Sequence, residues 1–160
     1  MFKRNRFWWA STVLTVMCLY WLSNVVLWLP WRYSPQLGIA MMLTVNPLFW
    51  GVGIYRCLAC EGGTKNLMQK AFLVSLIAVG ISLISDFLFF AVGMGSKDVW
   101  HATTFYGYAW LVILAFGEAL LFRKRLMAKR YVATKKTLLI LMGCLLLLWL
   151  LQFLFVCNFK

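Results

Sequence analysis

Asp86 is the residue of this sequence best placed to do chemistry, because it stands inside an apolar stretch, 71–94. An ionisable side chain within a membrane helix costs about 3 kcal/mol on insertion scales and is by default a candidate for function. At about 100° per residue, Ser75, Ser82, Asp86 and Gly93 fall on one narrow stripe, with Ala71 and Ala78 at its margins. Such a stripe is expected to look into a helical bundle, where small residues let helices approach and hydroxyls bond across the interface. Asn46 lies at a similar depth in another apolar stretch. It precedes Pro47, which has no N–H to donate and is expected to kink its helix. An Asn46–Asp86 hydrogen bond is the natural pairing. Two readings stand for this pair: structural glue between helices, or a proton, cation or ligand site.

Glu118 is about one turn from the end of its own apolar stretch. It is expected to reach the interface and neutralise part of the Arg123, Lys124, Arg125 cluster. A sharper alternative joins Glu118, Ser75, Ser82 and Asp86 into a polar path, which requires the third and fourth helices to be neighbours.

Cys57 and Cys60 have the spacing of a redox pair or half a metal site. Zinc would need four ligands, and the other segments predicted on the same side offer neither Cys nor His, so no metal is expected. As a redox motif the pair resembles that of the quinone-coupled membrane oxidoreductases that make disulfides, which are also small helical bundles. Those proteins carry two outward-facing cysteine pairs, whereas the charge pattern puts Cys57 and Cys60 inside, where thiols stay reduced. Cys18, Cys144 and Cys157 lie within or at the end of apolar stretches and behave as small hydrophobes. His101, with Asp98 three residues before it, has neither metal-ligand company nor a nucleophile. The chain also lacks a phosphate-binding loop, a dinucleotide fingerprint, a zinc-protease helix and a serine elbow, and no cofactor is predicted.

The elements that carry these residues follow from composition. A chain of 160 residues that is 64% hydrophobic and 12% charged cannot hide its apolar residues in one water-soluble core. Five stretches reach the roughly 20 residues needed to cross a hydrocarbon layer about 30 Å thick: 7–29, 37–55, 71–94, 105–122 and 137–156. Pro30 and Pro35, Gly62 and Gly63, then Gly93 and Gly95, punctuate the first three breaks, and a run of cations fills the fourth. The expected fold is all-α, a single transmembrane domain over 1–160 built as a bundle of five helices. The first stretch is too long for a signal core and lacks a small-residue cleavage site, so it is read as a retained helix.

The net charge of +12 is not that of a nucleic-acid binder, because the cations fall in short bursts between apolar stretches. Lys3, Arg4 and Arg6 precede the first span. Arg56, Lys65 and Lys70 flank the second break, and Arg123, Lys124, Arg125, Lys129, Arg130, Lys135 and Lys136 fill the fourth. Thirteen cations on that side face three on the other, Arg32, Lys97 and Lys160. The positive-inside rule then puts the N-terminus in the cytoplasm and the C-terminus outside, and it makes any homo-oligomer parallel. The seven cations of 123–136 are attracted to anionic headgroups by about 1 kcal/mol each and are the expected contact for anionic lipid or a partner. Trp8 and Trp9 are expected at the inner headgroup level, and Trp28, Trp31, Tyr33, Trp100, Tyr106 and Tyr108 at the outer one.

From the sequence, the chain reads as a small integral protein of a bacterial inner membrane. It acts as an accessory or interaction protein rather than an enzyme, in contact with lipid and with a membrane partner or a second copy of itself. A small transporter or ligand-binding protein centred on Asp86 and Asn46 is the alternative, and a thiol oxidoreductase using Cys57 and Cys60 the third reading.

Overall fold

A computed structural model describes the backbone of residues 2–95, 100, 102–128 and 131–158, and the side chains of these except 2–6 and 158. Lys3, Arg4, Arg6, Lys97, Asp98, His101, Lys129, Arg130 and Lys160, named above, lie outside the described residues or have side chains that do. The described residues are helical in the order α1 (Phe2–Tyr33), α2 (Pro35–Ala59), α3 (Leu67–Ser85) with a π-helical continuation (Asp86–Gly93), α4 (Ala102–Leu121), α5 (Arg123–Ala128) and α6 (Lys135–Asn158). Five helices are long and apolar enough to cross a membrane: Phe7–Tyr33, Pro35–Ala59, Leu67–Gly93, Ala102–Leu121 and Lys135–Cys157. At 20 to 27 residues each, they match the roughly 20-residue requirement of a bilayer.

One predicted break and one end of the predicted stripe differ from what forms. Pro30 does not end the first helix; α1 runs through it to Tyr33, and Ser34 alone separates α1 from α2. Pro30 has no N–H for Val26 O, the carbonyl four residues before it, and only three helical residues follow it, so one missing bond near the end does not stop the helix. Ser34 N donates to Pro30 O at 3.0 Å, and Pro35 takes the first helical position, where its missing N–H would have had no partner. In the third helix the hydrogen-bonding register widens from Asp86 onward, with Met94 N donating to Phe89 O at 3.0 Å. The stripe therefore stays buried through Ala71, Ser75, Ala78 and Ser82, but Gly93 has rotated out of it and is exposed.

Helix α1 is the hub. It packs along α2 and α6 and touches α3, while α4 packs along α3 and α2. Buried alanines fit the close approach of α3 and α4: Ala71 and Ala78 on one helix, Ala115 and Ala119, four residues apart, on the other. Helix α6 leans on α1. Only 6% of its spanning window is buried, against 22–28% for the other four helices, so most of its large apolar residues face outward.

One end of the bundle gathers the loop after α2, the start of α3, α5 and the segment before α6. Glu61 N donates to Tyr131 O at 2.7 Å and Tyr131 N to Ala59 O at 3.3 Å, while the Tyr131 hydroxyl caps Arg56 O at 2.7 Å. Leu126 anchors the short α5 into the core. Trp8, expected at the headgroup level, is instead fully buried here, whereas Trp9 is 41% exposed. The reason is geometric. Its indole N–H reaches Cys57 O at 3.1 Å, the Lys70 ammonium lies 5.5 Å from its ring, and Gly63 folds over it with φ +72°, a conformation that favours glycine.

Candidate functional site

The buried stripe of α1 runs Trp8, Thr12, Val16, Tyr20, four residues apart, and continues to Ser23. The buried stripe of α4 begins near Tyr108 and passes through Leu111, Ala115 and Ala119. These two stripes close on Asp86 from both sides. Tyr20 donates its hydroxyl to Asp86 Oδ1 at 2.5 Å, and Tyr108 donates to Asp86 Oδ2 at 2.5 Å. Bonds of this length are those of O–H groups to a carboxylate, and they offset part of the desolvation that burial imposes. The turn at which the α3 helix changes to π geometry is the one that carries Asp86, a place where such irregularities often coincide with function.

Asn46 does not bond Asp86. Its Oδ1 is buried and has no hydrogen-bond partner. The two residues instead line one cavity of about 310 Å³, walled by α1, α2, α3 with its continuation, and α4. Ser82, Trp50 and Leu114 border it toward the middle of the bundle, and Trp31, Thr103 and Thr104 toward the α1–α2 hairpin end. Its wall is already hydrogen-bonded in part: Trp50 Nε1 donates to Ser23 Oγ at 3.0 Å, Ser23 Oγ to Leu19 O at 2.8 Å, and Asn24 Nδ2 to Tyr20 O at 2.9 Å. A second hollow, lined by Asn24, Leu27, Trp28, Trp31, Arg32 and Phe90, adjoins it and shares four of those residues.

The other predicted site residues are distributed differently. Ser75 is buried but bonds back to Phe72 O at 2.9 Å and does not line the cavity. Glu118 does not reach out to Arg123, Lys124 and Arg125. Its Oε2 is buried and unpartnered, and its Oε1 faces Gly51 of α2, where a β-carbon would come within 3.2 Å of it. It points there because it sits beside the buried stripe of α4, on the side turned toward α2. The proposed polar path is therefore not continuous: Ser82 and Asp86 share the cavity, whereas Ser75 and Glu118 lie apart from it.

Tyr20 and Tyr108 were not among the residues singled out by sequence. By type and position Tyr108 belongs to the outer aromatic belt, and no local pattern marks Tyr20. The midpoint of the Phe7–Tyr33 span falls at Tyr20, far from either headgroup level, and a phenol there needs an internal partner. That depth is the signal that could have found it.

Cys57 and Cys60 are free thiols, 2% and 1% exposed, beneath Trp8, Lys70 and Tyr131. Lys70 Nζ donates to Cys60 O, so its charge serves the helix end. Burial pushes the Cys60 thiol up from its ordinary value, and it does the same to the Tyr131 phenol. A raised thiol pKa means less thiolate at neutral pH, the reverse of an activated cysteine. No group of three or more His, Cys, Asp or Glu among the described residues could hold a metal ion. Arg123, Lys124, Arg125, Lys135 and Lys136 are all exposed, at the end of the bundle that carries Arg56 and Lys70.

No protein-family model matches the chain, and neither a curated protein nor a solved structure matches it.

Two outcomes are expected. Tyr108→Phe removes the donor on Asp86 Oδ2 and should destabilise the bundle by about 1–2 kcal/mol. Measured as a double-mutant cycle with Asp86→Asn by reversible unfolding in mixed micelles, the two changes should couple by more than about 0.5 kcal/mol; additivity would mean that the bond contributes nothing. At pH 8, a water-soluble maleimide should modify Cys57 and Cys60 at least about tenfold more slowly in the folded protein than in the denatured chain, because both are buried. Equal rates, read by mass spectrometry of peptides, would contradict the burial of the pair.

Proposed function

We propose that the protein is a non-enzymatic, multi-pass protein of a bacterial cytoplasmic membrane that holds a small ligand within its bundle, in the cavity of Asp86, Tyr20, Tyr108 and Asn46. The observation that carries this reading is the cavity itself. It reaches the size at which ligand sites begin, is walled mainly by apolar and aromatic side chains, and has one carboxyl, Asp86, and a few other polar side chains in its lining. Purely structural glue would bring Asn46 and Asp86 together; their separation across a space they both border favours a site. Transport of the ligand is the natural extension, since the cavity lies inside the span and toward one end of the bundle.

The N-terminus is assigned to the cytoplasm and the C-terminus to the outside. The excess of cations supports this, because the exposed cations of α5 and of the start of α6 share one end of the bundle with Arg56 and Lys70. That end suits contact with anionic headgroups.

A second reading, an accessory protein acting through a membrane partner or a parallel homo-oligomer, is favoured by α6, which contacts the bundle through α1 and turns Leu139, Leu146, Leu150 and Phe153 outward. The thiol oxidoreductase reading has the least support, given the burial of Cys57 and Cys60.

Gly107 borders the cavity and its added β-carbon would meet only Met42 Cε, at 3.4 Å. Gly107→Leu should therefore fill the site without disturbing the fold. Native mass spectrometry of the chain, extracted gently from its host, should show a bound small molecule that Gly107→Leu loses by at least about tenfold in occupancy. Retention of the molecule by the variant, or a chain that comes without one but with a stoichiometric protein partner, would favour the accessory reading. For orientation, alkaline phosphatase fused to the C-terminus should be active and a fluorescent protein on the N-terminus bright; the opposite pattern would invert the assignment.

A further inference from the structure

The polar groups of the cavity wall gather around one carboxyl, and its chemistry says what a ligand must bring. Five donors of the wall are already engaged with the protein. Tyr20 and Tyr108 give their hydroxyls to Asp86, Trp50 its indole N–H to Ser23, Ser23 its hydroxyl to Leu19 O, and Asn24 its amide to Tyr20 O. The Asp86 carboxyl keeps acceptor capacity, since each of its oxygens takes only one phenol although a carboxylate has about four lone-pair sites in all. Charge points the same way. Asp86 is the one ionisable acid or base in the lining apart from its two phenols, so the wall holds a carboxyl and no cation of its own. Arg32 borders the adjoining hollow, so the positive part of a ligand would be held on the Asp86 side.

We infer that the ligand is an organic ammonium: a primary or secondary amine in its charged form, on an aromatic or compact apolar body. This rests on the ligand-binding reading above and specifies its chemistry. An N–H-bearing cation supplies further donors to Asp86 and neutralises its carboxylate. The rings of Trp31, Trp50, Phe90 and Trp110, which share the wall, offer the faces on which cations and flat apolar groups both sit well. A neutral molecule would leave the carboxylate charge uncompensated in a medium that penalises it, and an anion would face it directly. An inorganic cation is the wrong size. It needs six or more oxygen ligands drawn close around it, whereas this wall has one carboxyl, two side-chain amides and a few hydroxyls around about 310 Å³.

The test uses the full chain in nanodiscs and three probes that share a phenyl-alkyl body and differ in the head group: 2-phenylethylammonium, 2-phenylethanol and 3-phenylpropanoate. Calorimetry and intrinsic tryptophan fluorescence read the binding. The ammonium should bind at least about tenfold more tightly than the alcohol, and the carboxylate more weakly still. Asp86→Asn should abolish the preference and Asp86→Glu keep it. The ranking is read on the unaltered chain, so it stands even where Asp86→Asn does not fold. If the alcohol or the carboxylate binds as well as the ammonium and Gly107→Leu removes that binding, the cavity is a ligand site and the cation inference is wrong. Failure of all three probes to bind also overturns the cation inference, and the ligand reading then rests on the native extraction alone.

Discussion

A carboxylate inside a helical bundle must be given its donors by the surrounding helices, because lipid has none to offer. Around Asp86 that requirement is met from two directions at once: Tyr20 from α1 and Tyr108 from α4 each take one oxygen. The arrangement ties three helices to a single point. It also sets the rotation of α1 and α4 about their axes, since either phenol would lose its partner if its helix turned by one residue. With those rotations set, Ser23, Asn24, Leu111 and Thr104 are brought to the same space, and the cavity follows.

The opposite end of the bundle is held by different means. There the buried indole of Trp8 closes on the end of α2, the Lys70 ammonium donates to Cys60 O, and Tyr131 pairs with the backbone around Cys60. Chain segments far apart in sequence meet over the unpaired carbonyls of one helix end, and the groups that meet them are a cation, an indole and a phenol. Cys57 and Cys60 are part of this plug. Their proximity in sequence follows from helical geometry at the end of α2, and their burial removes the access that thiol chemistry requires. The bundle thus has a dense end, and the open space lies toward the α1–α2 hairpin.

Helix α6 stands outside both arrangements. It borders neither the cavity nor the carboxylate, and it meets the rest of the molecule along α1, where Cys18 donates to Leu141 O and Trp21 packs edge-on against Trp149. Gln152 is 1% exposed with both of its side-chain polar atoms unpartnered. A helix attached along one face can be left apolar nearly all round, since the same residues that would be a liability in water are matched to lipid or to another helix. Four helices build the site and the fifth extends the apolar surface.

The five apolar stretches, their approximate limits, the uneven distribution of cations and the oddity of Asp86 were all legible in the sequence, because each depends on local composition and on the dimensions of a bilayer. The buried side of α3 was legible too, from the 100° repeat, as far as Ser82. Beyond that point, helical periodicity misplaced Gly93, because a π turn changes the angular step and no residue type marks it in advance. Side-chain partners were not legible. Asn46 and Asp86 share a depth, and depth suggested a bond, but depth says nothing of the direction in which a side chain points. Tyr108 and Trp8 had the residue types and positions of a lipid belt, yet turned inward because a buried carboxylate and a buried helix end each needed a donor. Sequence by itself determined which segments enter the membrane and which charges stay out of it, since that is a contest between each residue and its solvent. Only the tertiary structure decided which helix faces meet, and therefore that Asp86 is bonded by phenols while Asn46 is left facing a cavity, since a hydrogen bond is a relation between two particular atoms that separate helices must bring together.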